Sequence, residues 1–222
     1  MGRECNSYMR SVLLASSVLL LLFLFGCPGA VPGGGAPVGG GPAASVAAKS
    51  YDAIAVWQHQ GKTFDVWYSI WDHSKKKWFT PSGKVSEPIA ADEGDDNDAD
   101  VSSNGADTAV AVWSKVSGGK SMVYYSIWKD EQWSSPAALS KEGADTDPTV
   151  ATDPAGNALA VWVSGGNKLH YSYYTSGSGW SVPSELKLAE GMAKVSLPEL
   201  AYGEVGRRHY LVFTGKSGDK AS

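Results

Sequence analysis

Apolar and polar positions along this chain fall into short phrases that return at a nearly constant interval. YDAIAVW ends at Trp57, DTAVAVW at Trp113 and GNALAVW at Trp162, steps of 56 and 49 residues. Around the third copy the apolar runs are TVATD, NALAVWV, KLHYSYY and WSVPSEL. Their separators, PAGN, SGGN, TSGSG and AEGMAK, are rich in turn formers. Runs of this length, bounded by such residues, predict strands and not helices.

The phase of the repeat extends on both sides of the phrase. EGDDNDADVSSNGADTAVAVW (93–113) aligns without a gap on EGADTDPTVATDPAGNALAVW (142–162), so that Asp96 matches Asp145, Asp98 matches Asp147 and Val101 matches Val150. Downstream, YSIW ending at Trp71 matches YSIW ending at Trp128 and YSYY ending at Tyr174. WFTP, WSSP and WSVP, starting at Trp78, Trp133 and Trp180, follow in the same order. A fourth copy opens with LPELAYG and drifts to YLVF at Phe213. Four strands per unit of about fifty residues is the pattern of a β-propeller blade. The expected fold is therefore all-β and propeller-like, with four-stranded antiparallel blades at 46–90, 98–140 and 147–189 and a partial one at 197–222. Three and a half blades make an incomplete or open ring, and its unpaired edge is a route to self-association.

The hairpin before the last strand of each unit carries a further pattern. SIWKDEQW keeps Ser126 and Trp133. SYYTSGSGW keeps Ser172 and Trp180 with one residue more, and SIWDHSKKKW keeps Ser69 and Trp78 with two more. This framing resembles a degenerate Asp-box, the S-x-D-x-G-x-T-W motif of sialidase-like propellers, with Trp128 where the Asp belongs. The resemblance covers about residues 46–213 and implies the fold, with ligands taken on the top face.

It does not bring a sialidase site with it. Such a site clamps a carboxylate with three arginines, whose forked donors lysine does not replace. Beyond the N-terminal segment the chain has only Arg207 and Arg208, which as strand neighbours point to opposite faces. His59, His73, His170 and His209 lie in different segments without metal-ligand spacing. No nucleophile elbow, P-loop or dinucleotide fingerprint occurs. No cofactor and no metal are expected.

The first residues read as targeting and not as fold. Arg3 and Arg10 precede a 16-residue apolar run that ends before Cys27. LFGC resembles the lipobox of exported prokaryotic lipoproteins, which makes 1–26 a signal peptide and Cys27 the lipidated residue. The Gly/Pro/Ala-rich stretch 27–45 reads as a flexible tether, leaving 46–222 as the folded domain. The implied location is the outer face of a prokaryotic membrane or the cell surface. The only other cysteine is Cys5, so the folded domain has no disulfide.

Composition narrows the role further. The net charge is −4, and no basic stripe suits a nucleic acid. Trp57, Trp113 and Trp162, with Trp78, Trp133 and Trp180, recur once per unit, as residues packed between blades do. Each such burial contributes at most about 5 kcal/mol. ADEGDDNDAD (91–100) has the alternating aspartates Asp96, Asp98 and Asp100, but Val101 stands where a calcium loop needs Gly. A solvated acidic turn between blades is expected there. Asp98 and Asp147, just before inner strands, converge at the top of a propeller and are the candidate ligand-binding residues. The function expected is a non-catalytic surface module for a glycan or a protein. The alternative is the N-terminal part of a sialidase-like glycosidase whose active site lies in further blades.

Overall fold

The computed structural model describes residues 53–141 and 143–217 and the strand Ala43–Ser45. The signal-like segment 1–26, Cys5, Cys27 and the tether as far as residue 42 lie outside the described residues. The strand Ala43–Ser45 occupies the last three residues of the expected tether and pairs with the first apolar phrase.

The described residues form strands and turns without a helix, and they make four consecutive antiparallel sheets. The first holds β1 (Ala43–Ser45), β2 (Ala53–Gln60), β3 (Phe64–Asp72), β4 (Lys77–Phe79) and β5 (Glu87–Pro88). The second holds β6 (Asp95–Ser103), β7 (Ala109–Ser117), β8 (Lys120–Lys129), β9 (Gln132–Trp133) and β10 (Ala137–Ala138). The third repeats that order with β11 (Asp145–Thr152), β12 (Ala158–Ser164), β13 (Lys168–Thr175), β14 (Gly179–Trp180) and β15 (Ser184–Leu186). The fourth is the pair β16 (Met192–Gly203) and β17 (Arg208–Ser217). Among the described residues no sheet closes on itself.

Two sequence expectations are corrected in detail. The single last strand of each unit is two short pieces, because β14 and β15 both pair with β13 and flank Pro183. Pro136 separates β9 from β10 in the same way. Proline has no N–H to give a ladder, so the strand breaks where it falls. The second correction concerns the acidic segment, which is an exposed turn only over its first residues, 91–93. From Asp95 it is strand β6, and Asp96 is 0 % exposed.

Successive sheets pack face to face. Ile54, Val56 and Tyr68 of the first meet Ala109, Ala111 and Trp113 of the second. Val110, Val112 and Val123 of the second meet Ala158, Ala160 and Trp162 of the third. Val161, Val163 and Leu169 of the third meet Leu200, Leu211 and Phe213 of the fourth. Trp113 and Trp162 are fully buried, as the regular recurrence of tryptophan predicts, while Trp78 stays 39 % exposed.

The first strands of neighbouring sheets are also tied by hydrogen bonds. The Val150 N–H and the Thr149 hydroxyl both donate to Asp100 Oδ2 at 2.9 Å. Thr149 Oγ1 then accepts from the Leu200 N–H at 3.2 Å. Asp100 and Thr149 are 49 residues apart, so one position of the repeat accepts a backbone N–H from the next sheet at both junctions. Ser102 adds a parallel link from the Thr152 N–H at 2.9 Å.

Candidate functional site

The first strand of each of the last three sheets bulges at the same place. On β6, Asp98 and Ala99 oppose the single residue Trp113, because the register steps from Asn97–Ser114 to Asp100–Val112. On β11, Asp147 and Pro148 oppose Trp162, and on β16, Leu197 and Pro198 oppose Phe213. The first bulge residue is left-handed each time, with φ of 53° at Asp98, 50° at Asp147 and 51° at Leu197. An extra residue lets the ladder accommodate a bulge and turns its side chain out of the pleat. Asp tolerates the left-handed region better than most residues, since its short carboxylate bonds locally.

These bulges carry the two aspartates singled out from the sequence. Asp98 is exposed, and its Oδ2 accepts a hydrogen bond from the Ser114 hydroxyl at 3.1 Å. Asp147 is half-buried, with the Thr146 hydroxyl 3.4 Å from its Oδ2. Burial pushes the Asp147 carboxyl above the usual carboxylate range, and the charge of Asp98 pushes it further. The fold thus holds two like charges of neighbouring sheets close enough to interact. The placement departs from expectation in one respect: both residues lie within an inner strand, not ahead of it.

A second group of carboxylates includes Asp96 and Asp100, which the sequence offered only as part of an unfulfilled calcium-loop pattern, together with Asp65 and Asp92, which it did not single out. Asp96 is fully buried; no donor meets either oxygen at full hydrogen-bond geometry, although the Trp113 side chain lies near enough to act on it as a donor. Burial raises its pKa to about 7; Lys115 opposes the rise and Asp92 adds to it. Lys115 is itself buried and ion-paired with Asp92. Asp65 shares this neighbourhood, raised by burial and by Asp92. Asp100 is raised to about 6, because burial outweighs the donors from Val150, Thr149 and Val101. The signal available in the sequence was the pairing of Asp96 with Asp145 and of Asp100 with Thr149 across the repeat. Both are core positions, as the low exposure of Asp145 and Thr149 also records.

The other candidate groups are dispersed. His59 stacks on Trp67 at 4.4 Å, His170 meets Trp162 at 6.1 Å and His209 meets Tyr202 at 5.2 Å, each within its own sheet. Arg207 lies in the turn before β17 and Arg208 begins that strand. Among the described residues no three His, Cys, Asp or Glu side chains are grouped to hold a metal ion.

The serines of the Asp-box-like hairpins have a shared structural use. Ser126 Oγ donates to the Ser134 carbonyl at 2.7 Å and Ser172 Oγ to the Ser181 carbonyl at 2.8 Å, both from fully buried positions. Ser134 Oγ and Ser181 Oγ in turn each accept a backbone N–H, from Ile127 and Tyr173, at 3.0 Å. What the candidate site can do chemically rests on Asp98 and Asp147, two acceptors turned out at equivalent bulges. Compared with known protein families and with curated proteins, the chain matches no family model and no curated sequence.

Proposed function

We propose that the chain is a non-catalytic, propeller-like binding module that takes a hydroxyl-rich ligand, a carbohydrate, at Asp98 and Asp147. One observation carries this reading: equivalent left-handed bulges carry two carboxylates, Asp98 exposed and Asp147 half-buried, near enough for the charge of Asp98 to raise the Asp147 carboxyl. Left-handed backbone at non-glycine residues and like-charge proximity both cost free energy. Such features persist where the surrounding structure enforces them and collect at sites of function. Ionised carboxylates are pure acceptors, suited to the vicinal hydroxyls of a sugar. The propeller reading is supported by the repeated antiparallel sheets and by the hydrogen bonds between their first strands. The lipobox-like LFGC adds the proposal of a lipid anchor at Cys27 and a place on the outer membrane face or cell surface.

A glycan array probed with the full chain, followed by calorimetry on the best sugar, tests the site. Asp98→Asn and Asp147→Asn should each weaken binding by roughly tenfold or more, as loss of a charged acceptor does. Unchanged affinity in both variants would sink the assignment. The raised Asp147 carboxyl beside Asp98 also favours a second reading, a glycosidase acid and base pair. Hydrolysis of the bound sugar, abolished by Asp147→Asn, would establish that reading instead.

A further inference from the structure

The three junctions between sheets share one construction, and the two outermost faces carry its unmatched halves. At each junction the second strand of one sheet turns a pair of aliphatic residues toward the next sheet: Ile54 and Val56, then Val110 and Val112, then Val161 and Val163. A tyrosine accompanies the aliphatic pair at the first two junctions. Tyr68 lies 5.7 Å from both Trp128 and Trp133, and Tyr125 lies 5.4 Å from Trp180. The receiving sheet therefore offers its phrase tryptophan and an aromatic pair, Trp128 with Trp133 or Tyr174 with Trp180.

Among the described residues, the fourth sheet repeats the giving face without a receiver. Phe213 opposes its bulge as Trp113 and Trp162 oppose theirs, so Val212 stands where Val112 and Val161 stand. Val112 and Val161 are at most 2 % exposed, but Val212 is 70 % and Tyr210, on the same face, 53 % exposed. Among the described residues, the first sheet repeats the receiving face without a giver. Trp57 pairs with Trp67 and Trp71 with Trp78 on the side of β2 and β3 opposite to Ile54 and Val56. Trp71 and Trp78 stand 5.6 Å apart, as the aromatic pairs of the next two sheets do, yet among the described residues no tyrosine ring meets them. Trp57 is half-buried and Trp78 39 % exposed, whereas Trp113 and Trp162 are at 0 %.

We propose that these faces are the two halves of one interface, and that the fourth sheet of one chain packs on the first sheet of a second copy. Tyr210 and Val212 then fill against Trp57, Trp71 and Trp78 the places that Val110 and Val112 fill against Trp162. The contact continues the packing already present at three junctions, which is why a copy of this chain is the occupant. It is heterologous, head to tail, so two copies close on each other or further copies add in series. Exposed apolar residues gathered on one sheet face, unlike scattered ones, mark an association surface.

Light scattering on the full chain in mild detergent, across a roughly hundredfold dilution, reads the outcome. The expected protein mass at high concentration is at least twice the 23.4 kDa of one chain. Val212→Asp and Tyr210→Lys at the tail, and Trp78→Asp at the head, should each leave the circular dichroism unchanged and give the single-chain mass. Because Val212 and Tyr210 are exposed, the tail variants test the contact without disturbing the core. Mixing Val212→Asp with Trp78→Asp should restore a two-chain species, since one intact head then faces one intact tail. A wild-type chain of single mass throughout overturns the proposal, even if a sugar then alters the tryptophan fluorescence. An oligomer indifferent to the tail variants, or no species recovered on mixing, overturns it equally.

Discussion

Asp96 is a carboxyl group with no exposure, beside the Trp113 indole and a lysine already engaged by Asp92. Its pKa of about 7 and that of Asp100 near 6 both lie above the ordinary 3.8. The folded chain therefore binds protons that the unfolded chain has released, and stability falls as pH rises from about 4 to 7. The part due to these groups is fully present below about 4 and lost above about 7. Asp96→Asn removes the larger titration. It should flatten the decline of Tm between pH 5 and 8 and raise stability at pH 8 by about 2 kcal/mol. Parallel Tm profiles for the two proteins would show that Asp96 is not the titrating group. Sequence alone aligned Asp96 with Asp145 and placed it in an acidic run, with no sign that it is buried. Its burial follows from a strand that is enclosed between sheets, which no local pattern reports.

At the scale of the element, the first strand of each sheet is where the repeat does two things at once. Its bulge turns Asp98 or Asp147 outward, and two residues later Asp100 or Thr149 accepts an N–H from the next sheet. Thr149→Val keeps the shape but leaves the Leu200 N–H without its acceptor. A buried donor left unpaired costs about 1–3 kcal/mol. Urea unfolding should show a loss of that size, and the Leu200 amide should exchange faster. Thr146→Val is the control, since its hydroxyl makes only the 3.4 Å contact with Asp147 and should cost less than about 0.5 kcal/mol. An equal cost for the two variants would remove the link between sheets from the account. The strands themselves were legible as apolar runs. The inner strand after Asp98 was expected too, but its acidic first half from Asp95 was not, because aspartate is a poor strand former and only the partners on β7 make that half a strand.

Across the whole molecule, each sheet relies on its neighbours for burial, as in repeat proteins generally. The second and third sheets are covered on both faces, and the fourth has one face open and, among the described residues, only β16 beside β17. Protection in hydrogen exchange should therefore be lowest in β17 and highest in β7 and β12, measured where the chain is monomeric. Raising the concentration should protect β17 selectively if two copies meet there. Uniform protection from β7 to β17 in the dilute chain would mean that the sheets do not open one by one.

What the sequence determined by itself was the repeat: its period, its strands and turns, and the tryptophans that a disulfide-free domain buries. These are legible because turn residues and apolar runs act over a few neighbours, and because repetition shows the same choice several times. It also singled out Asp98 and Asp147 by position. Only the tertiary structure decided that both are left-handed bulge residues opposite a buried tryptophan, and that the charge of Asp98 raises the Asp147 carboxyl. It alone decided that Asp96 leaves water while Trp78 and Val212 stay in contact with it. Burial is a property of what packs on a strand, and the packing partner here stands about fifty residues away or on a neighbouring sheet.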